Sequence, residues 1–311
     1  MRQKGVAVIM VLLVLAIVAI TTAALIKRHQ FSQAMTSQLV HLGQTKAHIQ
    51  GAQLWAAQML TTDRQSNKVD HLGESWAQLT LPMPVEQGFV SGYITDLQGQ
   101  FNLNSLVADN QVNEAAMGLF KRLLEQQKLN PQLSWYLVDW IDRNVETEQQ
   151  NTLEDAFYLG QAVPYRSANQ ALVDISELGL VRGFDQATVA MLMPFVSALP
   201  QPTKINVNSA SIDVLMALSN TIDINQAEQL IINRNDRYWR TSSAFIEAVL
   251  GPKDSENQHQ WSALAELVTV DSHYFKLNVA AQFGVAKIQL ESNLHRGNNG
   301  QVTVLSKIYT P

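Results

Sequence analysis

Twenty-one consecutive residues, Val6 to Ile26, contain nothing more polar than Thr21 and Thr22. About 20 apolar residues cross a bilayer core as a helix, so this run has the length of a membrane span. A cleaved export signal has a shorter apolar core, roughly 7–15 residues, followed by small residues at the cut. Thr22-Ala23-Ala24 imitates such a cut, but the run is too long for that reading. Arg2 and Lys4 before the run are matched by Lys27 and Arg28 after it. Charge therefore does not orient the segment, and the short leading tail favours an N-inside arrangement.

Nothing stops the helix beyond the bilayer, since no proline occurs before Pro82. Phe31, Met35, Leu39, Leu42, Ile49, Ala56 and Leu60 lie near multiples of 3.6 residues, with Lys46 the one gap. The spacing predicts a helix running on to about residue 60, on the order of 80 Å in all.

Residues 89–104, FVSGYITDLQGQFNLN, alternate and carry Gly99 in a turn-like setting, which predicts a hairpin. The last forty residues also read as strands. Tyr274, Phe275, Leu277 and Val279 are followed by Val285, Ile288, Leu290 and Leu294. Then a His295-to-Gly300 turn precedes Val302, Val304, Ile308 and Tyr309. Between these β portions the pattern is almost wholly helical. The expected fold class is α+β: a long N-terminal helix packed on a small antiparallel sheet, with a large, mostly helical domain inserted in the sheet.

Two stretches repeat one device. Phe101-Asn-Leu-Asn-Ser105 and Ile205-Asn-Val-Asn-Ser209 each set a short extended piece before Asn and Ser, side chains that cap helices. The segment after Ile205 resembles a helix-hairpin-helix unit, and Glu177 to Val196 has a similar plan. DNA-binding versions present glycine amides and basic side chains to phosphate. Here the turn Ser219–Asp223 has no glycine, and residues 205–250 hold three Arg against five acids. That is the wrong sign for a phosphate ligand, as is the chain's net charge of -5. The packing is expected without the nucleic acid.

The most chemical-looking segment runs from Asp139 to Asp155, with six acids and one Arg. Oxygen donors spaced one residue apart, at Asp142, Asn144 and Glu146, with Glu154 and Asp155 at the far end, suit a hard cation such as Ca²⁺. The spacing is EF-hand-like but lacks the glycine of that loop. A solvated acidic loop is the alternative. If an ion is held, its role is structural, since it offsets carboxylate repulsion and fixes the loop.

Little else points to catalysis. The chain has no cysteine, which excludes disulfides, thiolate metal sites and cysteine nucleophiles. Its seven histidines are scattered, and no phosphate-binding, dinucleotide or Gly-x-Ser-x-Gly motif occurs. Trp135 and Trp140 beside the acidic segment read as packing residues. The expectation is that the chain is not an enzyme.

A basic leader ending in Lys4-Gly5, then an apolar helix continuing as an amphipathic one, resembles a type IV pilin-like signal. The resemblance implies cleavage after Gly5 by a prepilin peptidase and methylation of the new N-terminus, Val6. The first mature residue is usually Phe and here is Val6; the fifth is usually Glu and here is Met10. A carboxylate in lipid is costly unless it meets a partner, in pilins the terminal amine of another subunit. A subunit that joins first has no earlier amine to meet, so loss of the Glu suits a filament tip. The whole pattern is similar to the minor pseudopilin K family of type II secretion, which lacks this Glu.

That resemblance implies a leader over 1–5, a transmembrane helix over 6–26 and its periplasmic continuation over 27–60. A pseudopilin core over 61–104 and 272–311 then carries an inserted helical domain over 105–271. It strengthens the calcium reading. It implies a tip subunit that initiates or caps the filament for protein export, held in the inner membrane with its C-terminal part in the periplasm. Implied partners are minor pseudopilins I and J, the major pseudopilin below the tip and the prepilin peptidase, with no nucleic acid. A minor pilin of a type IV pilus, a membrane-anchored DNA-uptake protein and a cleaved periplasmic enzyme stay as alternatives.

Overall fold

In the computed structural model, which describes residues 4–78, 80–85, 88–143 and 154–310, α1 runs from Lys4 to Ser66. At 1.5 Å per residue it is about 95 Å long. Strands β1 (Thr80–Val85) and β2 (Gly88–Asp96) follow. Then come the short pieces β3 (Phe101–Asn102), β4 (Val107–Ala108) and β5 (Gln111–Val112). Helices α2 (Glu114–Gln126), α3 (Leu133–Ile141), α4 (Glu154–Leu159) and α5 (Gln186–Leu192) lead to β6 (Val196–Ser197) and β7 (Ile205–Asn206). Helices α6 (Ile212–Leu218), α7 (Ile224–Asp236), α8 (Ser242–Leu250) and α9 (Gln258–Leu267) precede β8 (Val268–Thr269). The chain closes with β9 (Tyr274–Phe283), β10 (Ala286–Arg296) and β11 (Val302–Thr310).

Five strands form one antiparallel sheet in the order β1-β2-β9-β10-β11. Strand β2 pairs with β9 from Gly88 opposite Phe283 to Asp96 opposite Phe275, so 177 residues of chain leave and return at one end of two neighbouring strands. The fold is α+β and pilin-like: a long helix on an antiparallel sheet, with helices carried between its strands.

Period-two alternation decides which sheet face is covered. Phe275, Leu277, Val279 and Ala281 of β9 and Ile288, Leu290 and Leu294 of β10 point inward, against Ile49, Ala56 and Leu60 of α1. Thr45 and Gln53 continue the buried stripe of the helix, and the Gln53 amide donates to Ser292 Oγ at 3.1 Å. Trp76 seals one end of this core, edge-on to Phe275. Gly284 turns β9 into β10 at φ +56°, and a Cβ there would lie 2.6 Å from His41, the first residue of α1 to pack on the sheet. Residues 5–40 of α1 are exposed, so the stripe predicted from Phe31 to Leu60 is covered only in its lower part.

The inserted helices share a separate core and consist of two copies of one plan. In the first, β3 pairs in parallel with β6; in the second, β7 pairs in parallel with β8. In each, the first Asn accepts the amide of the second, Asn102 from Asn104 at 3.2 Å and Asn206 from Asn208 at 3.0 Å. The second Asn then pairs both ways with one backbone position. Asn104 donates to Leu172 O and accepts from Leu172 N, both at 2.8 Å. Asn208 does the same to Trp239, at 2.9 and 2.8 Å.

Two sequence expectations are corrected here. Residues 89–104 are not a hairpin, because Phe101–Asn102 pairs with Val196–Ser197 and not with β2. Gly99 serves a close approach instead: a Cβ would meet Ser209 Oγ at 2.8 Å. The cap expected of the two repeats is met by Asn102, which accepts the Asn104 amide at the start of the 3₁₀ turn Leu103–Leu106, but the α-helices beyond are capped by other residues. Asn113 caps α2 and Ser211 caps α6, while Asn104 and Asn208 bind distant backbone.

Candidate functional site

The apolar run occupies α1 with no protein around it, and among the described residues α1 is the one helix long and apolar enough to cross a membrane. Thr21 Oγ donates to Ile17 O and Thr22 Oγ to Val18 O, at 2.9 and 2.8 Å. These back-bonds satisfy both hydroxyls inside the helix, as a lipid setting demands. Gly5 and Val6 are exposed, with open space beside Gly5. Met10 is exposed as well.

The acidic segment begins on α3. Trp140 packs edge-on to Tyr158, whose hydroxyl is pushed up to about 12 by burial. Asp139 and Asp142 are buried, Asp142 to 3% exposure, where the chain leaves α3. The amide of Arg143 then donates to Asn110 Oδ1 at 2.9 Å. Asn144 and Glu146 lie outside the described residues. Glu154 and Asp155 open α4, and their side chains lie outside them too. Of the five candidate cation donors, Asp142 is the one whose side chain falls among the described residues.

Sequence reasoning missed the densest polar cluster, at the seam between sheet and insertion. Asp96 closes β2, and Ser272 stands where the chain returns to β9. The carboxylate of Asp96 accepts from Gln98 N at 2.8 Å, Ser272 Oγ at 2.7 Å, Asn206 Nδ2 at 3.0 Å and Ser209 Oγ. Asn206 and Ser209 belong to the second inserted unit, so Asp96 ties both crossings to it. The same Asn206 amide nitrogen also donates to Asp70 O at 3.1 Å. Burial raises Asp96 from 3.8 to about 6, against the lowering effect of its donors Ser209 and Ser272.

Beneath lies Arg296, 0% exposed at the inner end of β10. Its guanidinium donates to Asp63 on α1 at 2.8 Å, to Asp70, and to Ser272 O at 2.8 Å, with its face over Phe275. Burial raises Asp63 and Asp70, and Arg296 opposes both shifts. Beside them Asp271 is held well below the carboxylate range, chiefly by His273, which is raised in turn.

Asp63, Asp70 and Glu74 lie within 4.8 Å of one another. Arg296 occupies the space between the two aspartates, and Glu74 accepts from Asn67, the His71 amide and Trp76 Nε1. This trio is internally satisfied and is not a cation site. Outside it His71 stacks on Tyr238 of the insertion, ring centroids 3.9 Å apart. The seam fixes α1, the sheet and the insertion to one another.

The helix-hairpin-helix resemblance is resolved by its arginines and acids. Arg234 donates to Val207 O and Ala210 O at 2.9 and 2.7 Å, and burial lowers it to about 10. Arg122 donates to Ala217 O and Leu218 O, closing the end of α6. Asp223 caps α7 through Gln226 N, and Asp185 caps α5 through Thr188 N. The acids in these turns satisfy helix amides.

Comparison with known proteins gives a consistent picture. Two family models described as "Type II secretion system (T2SS), protein K" match residues 99–201 and 205–265, one for each inserted unit. The type II secretion system protein K of Pseudomonas aeruginosa is 33% identical over 98% of this chain and 92% of its own. That of Klebsiella pneumoniae is 32% identical over 95% and 93%. A chain in the crystal structure of the GspK-GspI-GspJ complex from enterotoxigenic Escherichia coli superposes with a TM-score of 0.76. It is 25% identical, and the match covers 89% of this chain and 99% of that one.

Proposed function

The chain belongs to the protein K family of the type II secretion system, and from that premise we propose that it is a minor pseudopilin at the tip of the secretion filament. The observation that carries the reading is the match, over 89% of this chain, to a chain of a GspK-GspI-GspJ complex. Its partners are then pseudopilins I and J, with the major pseudopilin below. The exposed stretch of α1 from Lys27 to Val40 packs beside partner helices, and the insertion, locked at the seam, blocks further addition above it. Association is its work, and it is not an enzyme.

The same reading places α1 in the inner membrane with the soluble part in the periplasm. Prepilin peptidase cuts after Gly5 and methylates Val6, both exposed at the helix start. Met10, in place of a glutamate, spares a first-joining subunit a carboxylate without a partner in lipid. Asp142, Asn144, Glu146, Glu154 and Asp155 would hold a calcium ion that fixes the acidic segment of the insertion.

The test is capture of the tagged full-length chain from detergent-solubilised membranes that also carry pseudopilins I and J of its own system. A stoichiometric complex of three is expected. Recovery of the chain alone, with I and J pairing without it, would remove the reading.

A further inference from the structure

The two edges of the sheet differ in a way that concerns assembly. Strand β1 has proline at 82 and 84, which lack the amide hydrogen a neighbouring strand would need, and its register with β2 shifts between Thr80 and Met83. Prolines and irregular pairing are how sheets blunt an edge. Strand β11 has no proline to blunt its outer side. It runs nine residues without proline or glycine, carries one charge, Lys307, and pairs with β10 through a single irregularity. Its other backbone edge has no strand beside it among the described residues.

From residue 303 to 310 its side chains are exposed. The register puts Val304 and Tyr309 opposite Leu294 and Leu290, on the side of the sheet that α1 covers, and Ile308 opposite Glu291 on the other side. Helix α1 packs mainly on β9 and β10 and touches β11 more lightly, with Val302 half-buried against their shared core. Ile308 is 54% exposed and Tyr309 44%. A row of unpaired amide and carbonyl groups flanked by apolar side chains above and below has one complementary occupant, an extended chain. A helix would leave the backbone groups unmet and could cover one face only.

We propose that the outer edge of β11 takes up an extended strand from a neighbouring minor pseudopilin, so that the sheet continues across the subunit boundary. The inference rests on the filament-tip reading. That reading also selects the donor, since its partners there are pseudopilins I and J. The incoming strand is predominantly apolar at alternate positions, to cover Val304 and Tyr309 on one face and Ile308 on the other.

The test is amide hydrogen exchange at single-residue resolution on the full-length chain, alone and in its purified complex with I and J. In the chain alone, alternate amides from residue 303 to 309 are held by β10 and the intervening ones exchange freely. In the complex the fast set is expected to slow about tenfold or more. A complex in which those amides stay fast overturns the strand pairing and leaves the filament-tip reading intact. Protection already present in the chain alone, rising with its concentration, overturns it in favour of a second copy. If no complex with I and J forms, both readings fall together. A second arm uses Val304→Asp with Ile308→Asp, at exposed positions that leave the isolated fold alone. The complex should then dissociate about tenfold more readily, and undiminished assembly would count against the edge.

Discussion

The side-chain amide of Asn206 donates to the carboxylate of Asp96 at 3.0 Å, across the seam between the inserted helices and the sheet that carries them. Asn206 belongs to the second of two repeated units and Asp96 to the last residue of β2. With the bonds from Ser209 to Asp96 and from Asn206 to Asp70 O, this bond holds the insertion to the sheet, and Arg296 below ties the sheet to α1.

Arg296 is the counter-charge for two buried aspartates. Arg296→Met should leave Asp63 and Asp70 without it and cost about 3–5 kcal/mol of unfolding free energy. Denaturant titration of the full-length chain in detergent measures this. Adding Asp70→Asn to Arg296→Met should restore part of the loss, whereas equal stability of single and double variants would mean the pair is not coupled.

Asp96 sets a pH signature. Its folded value of about 6 lies above the ordinary 3.8, so the folded chain holds this proton more tightly. The resulting stability is fully present below 3.8 and is lost as pH rises through 6. Asp63 and Asp70 shift the same way, and Asp271 the opposite way. Comparison with Asp96→Asn isolates the one group. The stability of the native chain relative to that variant should fall between pH 4 and 6, by at most on the order of 2–3 kcal/mol, and level off above pH 7. A flat difference across the range would contradict the assignment.

Gly284→Val should loosen the lower end of α1, because φ +56° disfavours a side chain and any Cβ meets His41. The expected cost is about 1–3 kcal/mol, read as a lower melting temperature. Unchanged melting would show that the hairpin tip is not seated on the helix.

Calcium should matter to melting in one background only. Asp142→Ala with Glu154→Ala is expected to remove the rise in melting temperature that calcium gives the native chain, leaving the chelator-treated proteins similar. A drop of the same size in excess chelator would remove the ion from the account.

Much of this was legible from residue patterns with a fixed period. The span and its helical continuation follow from the apolar run and the 3.6-residue spacing, and the strands β9 to β11 from alternation. The seam was not, because Asp70, Asp96, Asn206 and Arg296 come from four distant segments and meet only in space. One signal was present: Ala286, Ile288, Leu290, Ser292 and Leu294 share an inward parity, and Arg296 falls on it. An arginine on a core-facing position demands buried acids. The hairpin expectation at 89–104 failed because alternation marks a strand without naming its partner. Phe101 finds Val196, nearly a hundred residues later. The two Asn-x-Asn-Ser stretches suggested caps; Asn102 does cap the short turn Leu103–Leu106, while tertiary structure uses Asn104 and Asn208 as long-range staples.

The most direct measurement of the filament-subunit claim is the intact mass of the chain extracted from membranes, with and without prepilin peptidase. The account predicts a chain that begins at Val6 and carries one methyl group when the peptidase is present, and an uncut leader when it is absent. A chain beginning at Met1 in both cases, or near Leu25, would contradict it.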